Sequence, residues 1–125
     1  MDAVLYVVDL PRMVAFYHHA LGLTLSRSDD RGADVAVAGS TLHLLRVPAE
    51  VAAEIVIADP PVRREETPIK LVVPVDDLAD ARRRIVEHGG VVDPPDFEWT
   101  WANTIRVDAV DPEGNVVQVA ARQRH

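Results

Sequence analysis

The chain of 125 residues is predicted to be an α+β protein made of two tandem βαβββ modules packed around a shared space. Two internal matches carry that reading. Val7-Val8-Asp9-Leu10, a helical stretch and Gly22 are echoed by Val75-Asp76-Asp77-Leu78, a helical stretch and Gly90. Asp9 to Asp77, Leu10 to Leu78 and Gly22 to Gly90 share one offset of 68 residues. Gly39 to Leu44 then lines up with Gly114 to Val119 at an offset of 75, so the intervening loops differ by seven residues. Duplication at this length marks paired supersecondary units.

Each element has its own local reason. Ala3 to Val8 alternates within a β-prone run and is predicted to be a strand. Asp9 caps the helix that follows, Pro11 suits its first turn, and Leu10, Val14, Tyr17 and Leu21 make its apolar stripe. Gly22 stops it. Leu23 to Asp29, Ala33 to Ala38 and Thr41 to Val47 are predicted strands, the last two joined by a tight turn at Gly39-Ser40. In the second copy Ile69 to Val75 is a strand, and Leu78, Ala81 and Ile85 are the buried stripe of a helix that Gly89-Gly90 ends. Val91-Val92 starts a short strand, and Asn103 to Val110 and Val116 to Ala121 form a hairpin across Asp111 to Asn115. The whole chain, 1–125, is expected to be one domain: module one 1–47, a proline-rich exposed linker 48–68, and module two 69–125. Ala49 to Glu54 suits one helical turn within that linker.

Composition excludes several classes of function. At 125 residues a chain buries roughly two-thirds of its unfolded surface, enough for a real core. Hydrophobic residues make up 48%, as in ordinary globular domains. No apolar run approaches the ~20 residues of a membrane helix, and no charged-then-apolar leader is seen, so no membrane partner is expected. A net charge of −7 argues against nucleic acid as a partner. Zero cysteines remove disulfides, thiolate metal sites and thiol nucleophiles, and fit a cytoplasmic location. Gly-x-Ser-x-Gly, P-loop and dinucleotide signatures are missing as well. Arg82-Arg83-Arg84 lies opposite the buried stripe and is expected to be a solvated face. His18-His19 is expected to be a solvated pair, because adjacent helical side chains diverge by about 100°.

Val7-Val8-Asp9-Leu10, Phe16-Tyr17 and Leu21-Gly22-Leu23, with Asp111-Pro112-Glu113-Gly114-Asn115-Val116-Val117-Gln118 at the far end, resemble the vicinal oxygen chelate superfamily. That group includes glyoxalase I, the bleomycin-resistance proteins and the extradiol dioxygenases. The resemblance implies that the two modules form an open, curved, barrel-like sheet around a binding cavity. It also implies a two-fold homodimer, since related proteins cover exposed strand edges by joining modules within or between chains. Metal-dependent members carry ligands at four places, which correspond here to Asp2, His43, Lys70 and Gln118. A protonated lysine has no free electron pair and an amide oxygen is a weak, neutral donor, so neither metal nor other cofactor is expected.

Strand alternation names the side chains that would face the cavity. If Val110 pairs with Val116, then Asp108 sits opposite Gln118 and Arg106 opposite Ala120, all on one face. Ala36 and His43 face the cavity by the same logic, and the small alanines at 36 and 38 leave room. Phe97, Trp99 and Trp101 alternate; they are either core filling or a stacking wall. Lys70, the one lysine, is either an ion-pair partner of Asp108 or Asp2, or a functional group holding an anion or moving a proton. The expected ligand-binding set is Tyr6, His43, Lys70, Trp99, Trp101, Arg106, Asp108 and Gln118, with no assigned catalytic residue.

The expected function is a small-molecule binding protein of glyoxalase/bleomycin-resistance type, holding an aromatic or charged compound between the modules without metal. Two alternatives stand beside it. One is the metal-dependent lyase, isomerase or dioxygenase of the resemblance; the other is a metal-free enzyme using Lys70, His43 or Asp108 for proton transfer. Arg106 favours an anionic ligand, whereas Asp34, Asp108 and the net charge favour a cationic one.

Overall fold

The computed structural model describes residues 1–66 and 69–123. Two open mixed sheets, one per module, follow the predicted order of elements. In the first, β1 (Ala3–Val7) leads into α1 (Leu10–Ala15), which continues as a π turn over Phe16–Ala20. Three strands follow, β2 (Thr24–Ser28), β3 (Gly32–Val37) and β4 (Ser40–Arg46). They order as β1-β4-β3-β2, with β1 parallel to β4 and the other pairs antiparallel. The tight turn falls on Ala38-Gly39, one residue earlier than predicted. Both residues have positive φ, 50° and 81°, as a two-residue hairpin turn requires, and Ser40 is left to pair with Val37.

The second sheet is built from β5 (Leu71–Val75), β6 (Val91–Val92), β7 (Trp99–Trp101), β8 (Thr104–Val110) and β9 (Val116–Arg122). Its order is β5-β9-β8-β6, and β7 also pairs with β8. β6 and β7 are two pieces of one edge strand, interrupted by the 3₁₀ turn Pro95–Phe97. Sequence reading predicted only the first piece. Pro94 and Pro95 explain the break, since neither can donate to a ladder.

Between the modules, the linker starts with α2 (Ala49–Ala52), the helical turn expected there. It is exposed over much of its length but is also pinned to module two. Arg64 N donates to Gly114 O at 3.0 Å, and Arg63 pairs with Asp93. Thr67 and Pro68, the end of the predicted linker, lie outside the described residues.

Both helices start at aspartate caps: Asp9 accepts from Arg12 N, and Asp77 from Ala79 N at the start of α3 (Leu78–Glu87). Leu78, Ala81 and Ile85 are buried as predicted. The α1 face is broader than its predicted stripe, because Met13, Phe16 and Ala20 join Leu10, Tyr17 and Leu21 in the core while Val14 is half-buried. One apolar cluster draws on the inner faces of both sheets and on both helices.

Two surface readings need correction. Arg82 and Arg84 are half-buried and held by other elements. Arg82 grips Glu98 through Nη2 at 2.6 Å and also donates to the Asp93 carbonyl, while Arg84 Nε donates to Ala20 O at 3.0 Å and its guanidinium pairs with Asp80. Only Arg83 points to solvent, beside Asp80 and Glu87. His18 is half-buried, its Nδ1 2.7 Å from Leu23 O, and the exposed His19 stacks on His88 from α3 at 5.8 Å.

The π turn has a structural reason. Leu21 N donates to Phe16 O, five residues back, so the first helix holds one residue more than α3 between equivalent ends. Its positive-φ terminator is Gly22, and the corresponding residue in module two is Gly89, not Gly90. Gly90 is needed for space instead, since a Cβ there would lie 2.6 Å from Phe16 and 2.7 Å from the Val110 carbonyl.

Candidate functional site

Each sheet turns its apolar alternation inward and its polar alternation outward, and the predicted register holds. Asp108 pairs with Gln118, Arg106 with Ala120, and Val110 with Val116. Trp99 pairs with Arg106 and Trp101 with Thr104, so both indoles lie on the same outer face as Arg106, Asp108 and Gln118. Lys70 joins them from just before β5, its Nζ 2.7 Å from Asp108 Oδ2. Six of the eight predicted site residues therefore share one face of one sheet.

The tryptophans are not core filling. Trp101 is 62% exposed and Trp99 42% exposed. The Arg106 guanidinium lies over both, 4.7 Å from the Trp101 ring centre and 5.9 Å from that of Trp99. Phe97 does not continue the ladder, since it closes the 3₁₀ turn instead of extending the strand. Arg106 Nε donates to Thr104 Oγ1 at 3.0 Å and its Nη1 reaches Gln118 Oε1 at 3.4 Å.

Asp108 is mostly buried, and its Oδ1 has no hydrogen-bond partner among the described residues. Lys70 is thus the charge that makes this carboxylate tolerable. Replacing Lys70 by methionine is expected to cost about 1–3 kcal/mol in urea denaturation, the range for stranding a buried polar group. The double variant K70M/D108L should recover most of that loss. A K70M protein as stable as the parent would remove the structural role assigned to the pair.

Tyr6 and His43 belong to the other sheet. His43 pairs with Asp34 across β3–β4 and with Val4 across β1–β4. Its Nδ1 lies 2.7 Å from Asp34 Oδ1, so Nδ1 carries the hydrogen and Nε2 faces Asp2 Oδ2 at 3.8 Å. Asp2 is tied down in turn, accepting from Thr41 N at 2.9 Å. Tyr6 is 66% exposed, beside a cleft formed with Arg27, Asp29, Leu45 and Pro48. Asp34 was legible as a charge but not as the partner of His43; the signal was its place two residues before Ala36, on the same face. Clefts to which both modules contribute run beside β1 and β5, past Ala3, Leu42 and Leu71. Neither of these takes in His43, Lys70, Arg106 or Gln118.

Sequence reading missed a third polar cluster, which is structural. The hairpin loop Asp111–Asn115 clips module two onto the first helix. Glu113 accepts from Val8 N and Asp9 N at 2.7–3.0 Å, and Tyr17 Oη donates to the buried Asp111 Oδ2 at 2.7 Å. Asp111 also accepts from Glu113 N, Asn115 N and Asn115 Nδ2. Burial pushes its carboxyl above the usual range, although those hydrogen bonds pull the other way. The Tyr17 phenol is raised well above 10.0, first by burial and then by the negative Asp111.

Residues 2–119 match the model of the glyoxalase/bleomycin resistance protein/dioxygenase superfamily. The chain belongs to this superfamily. No curated protein matches it in sequence. Among solved structures it is similar to a hypothetical protein of S. aureus, with 17% identity, 97% of this chain and 95% of that one covered, and a TM-score of 0.66. It is also similar to the fosfomycin resistance protein FosX of Mesorhizobium loti, at 10% identity, 97% and 89% coverage and a TM-score of 0.66. The bleomycin-binding protein of Streptomyces verticillus, solved with copper(II)-bleomycin, matches at 20% identity, 98% and 95% coverage and a TM-score of 0.58. Identities this low establish the fold.

The superfamily's metal does not fit the residues at the corresponding positions. Lys70 is an ammonium already paired with Asp108, Gln118 accepts from Arg106, and only Asp2 and His43 offer ordinary donors. Among the described residues no three histidine or carboxylate side chains converge on a common point.

Proposed function

We propose that this glyoxalase/bleomycin-resistance superfamily protein binds a small aromatic compound bearing a charged group, and does so without metal. The observation that carries the reading is the exposed indole pair with Arg106 stacked over it, beside Lys70, Asp108 and Gln118. Flat apolar walls with a few oriented polar groups suit a planar ligand. The structural relative that binds bleomycin makes such a role reasonable for the fold. Absence of cysteine is consistent with work in the cytoplasm.

Binding should perturb tryptophan emission, and a compound screen read by fluorescence and thermal shift in the presence of a chelator tests the proposal. Trp101→Ala is expected to weaken binding by about 1–3 kcal/mol, the range for losing one stacking partner, with little change in stability. Parent fluorescence that no compound alters, together with a mutant that unfolds, would return the tryptophans to a structural role.

The complete cavity is proposed to need two copies of the chain. β1 and β5 each have one neighbour in their sheets, and both carry exposed apolar side chains, Val4 and Tyr6 on one and Val72 on the other. Such edges invite pairing. In a two-fold dimer His43 and Tyr6 of one subunit would face the tryptophan face of the other, giving cavities of residues 1–47 and 69–121 from different chains. Light scattering at micromolar concentration is expected to show twice 13.7 kDa; a monomer at that concentration refutes the arrangement.

A second reading is favoured by one contact. His43 held by Asp34 at 2.7 Å has the geometry of an oriented general base, which would make the protein a metal-free proton-transfer enzyme. Conversion of a bound compound, followed by NMR and lost in His43→Gln while binding persists, is the result this reading requires.

A further inference from the structure

We infer that the tryptophan face selects a planar compound with one negative charge, and that Arg106 is the residue that reads it. This rests on the small-molecule site proposed above and narrows its ligand. Charge on the face resolves residue by residue. Lys70 and Asp108 neutralise each other at 2.7 Å. Asp34 and Asp2, which by composition would argue for a cationic ligand, lie on the other sheet around His43; in the proposed dimer they would face the tryptophans with His43, Asp34 already accepting from His43 Nδ1 and Asp2 from Thr41 N. Glu98, beside the tryptophans in sequence, is held by Arg82.

Arg106 is left. Its contacts are to neutral acceptors, the Thr104 hydroxyl at 3.0 Å and, at 3.4 Å, the Gln118 amide oxygen. Among the described residues no carboxylate lies within ion-pair distance of it. Arg122 is likewise without an ion pair among the described residues, but Arg106 is the uncompensated positive charge that lies against the indoles, in a protein whose net charge is −7.

Position makes that charge usable. Stacking over Trp101 and Trp99 holds the guanidinium plane in a fixed orientation and strips part of its hydration. A guanidinium fixed in this way presents paired N–H donors that match a carboxylate in a bidentate grip. The exposed indoles continue the flat surface beside it, where an aromatic ring of the same ligand can lie. A cationic ligand would meet Arg106 as a like charge. A neutral one would keep the stacking and leave the guanidinium on its long contact to Gln118.

Three probes sharing one ring system separate charge from stacking: 2-naphthoate, 2-naphthamide and 2-naphthylmethylamine, each titrated calorimetrically into the 125-residue chain. Naphthoate is expected to bind at least about tenfold more tightly than the other two, as one charge-assisted hydrogen-bond pair allows. In Arg106→Gln that preference should fall to within about threefold while naphthamide binding persists. Added salt should weaken naphthoate binding to the parent and spare the amide, which keeps the test decisive if the variant does not fold. Amide or amine binding as tight as naphthoate overturns the inference. If Trp101→Ala still weakens that binding, the small-molecule site stands without its charge preference. Naphthoate binding unchanged by either variant, or no binding by any probe, overturns both.

Discussion

Asp111→Ala is expected to lower stability by about 3–5 kcal/mol, read as a lower urea midpoint at unchanged slope. The carboxylate is fully buried and accepts four hydrogen bonds, from Tyr17 Oη, Glu113 N, Asn115 N and Asn115 Nδ2. Alanine strands these donors together, and the loop that positions Glu113 under the start of the first helix loses its frame. Native domains hold about 5–15 kcal/mol in reserve, so such a loss approaches unfolding. Tyr17→Phe strands only one acceptor and should cost about 1–2 kcal/mol. It also isolates a pH effect. The folded phenol holds its proton more tightly than the unfolded one, so its contribution is complete below pH 10.0 and is lost as pH rises through the higher folded value. Parent protein should therefore weaken on alkaline titration in a limb that Tyr17→Phe lacks. Asp111→Ala within about 1 kcal/mol of the parent would mean that the loop is not the clip described.

Gly90→Ala is expected to be almost as damaging, at about 3 kcal/mol, the upper end for overpacking. The new methyl would lie 2.6 Å from the Phe16 ring, 2.7 Å from the Val110 carbonyl and 2.8 Å from Ile85 Cγ2. Two of those neighbours are core side chains and the third is backbone, so none yields easily. Gly39→Ala is the control. It meets nothing within 4 Å, has φ +81°, and should cost about 1–2 kcal/mol from the left-handed backbone alone. An effect at Gly90 no larger than that at Gly39 would show that Phe16, Ile85 and the Val110 carbonyl yield, and that space is not what Gly90 supplies.

Much of this fold is legible because its signals are local. Asp9 and Asp77 announce helix starts, and strict alternation along residues 104–110 and 116–121 fixes the register that places Arg106, Asp108 and Gln118 on one face. What escapes is non-local. Nothing near Glu113 in sequence says that its carboxylate will meet backbone N–H groups more than a hundred residues earlier. Arg82 and Arg84 look solvated by helical periodicity, yet Glu98 and the Ala20 carbonyl approach from other elements. The candidate site divides in the same way. Lys70–Asp108 was one of two pairings open to the one lysine, Asp2 being the other, whereas the Arg106 guanidinium over Trp99 and Trp101 depends on β7, a strand that two prolines had hidden.

The π turn limits how this chain can change. One residue added to a helix rotates everything beyond it by about 100°. Here the addition is absorbed within a single turn, which lets Phe16 and Tyr17, neighbours in sequence, both lie wholly inside the protein. Tyr17 reaches the opposite module from there. Two segments that began as copies are thereby out of phase, and neither can stand in for the other. A chain carrying module two twice would have Ile85 at the single inward position and no phenol to reach Asp111. The inserted residue turned a repeat into a lock and key, and it gives the protein a left and a right.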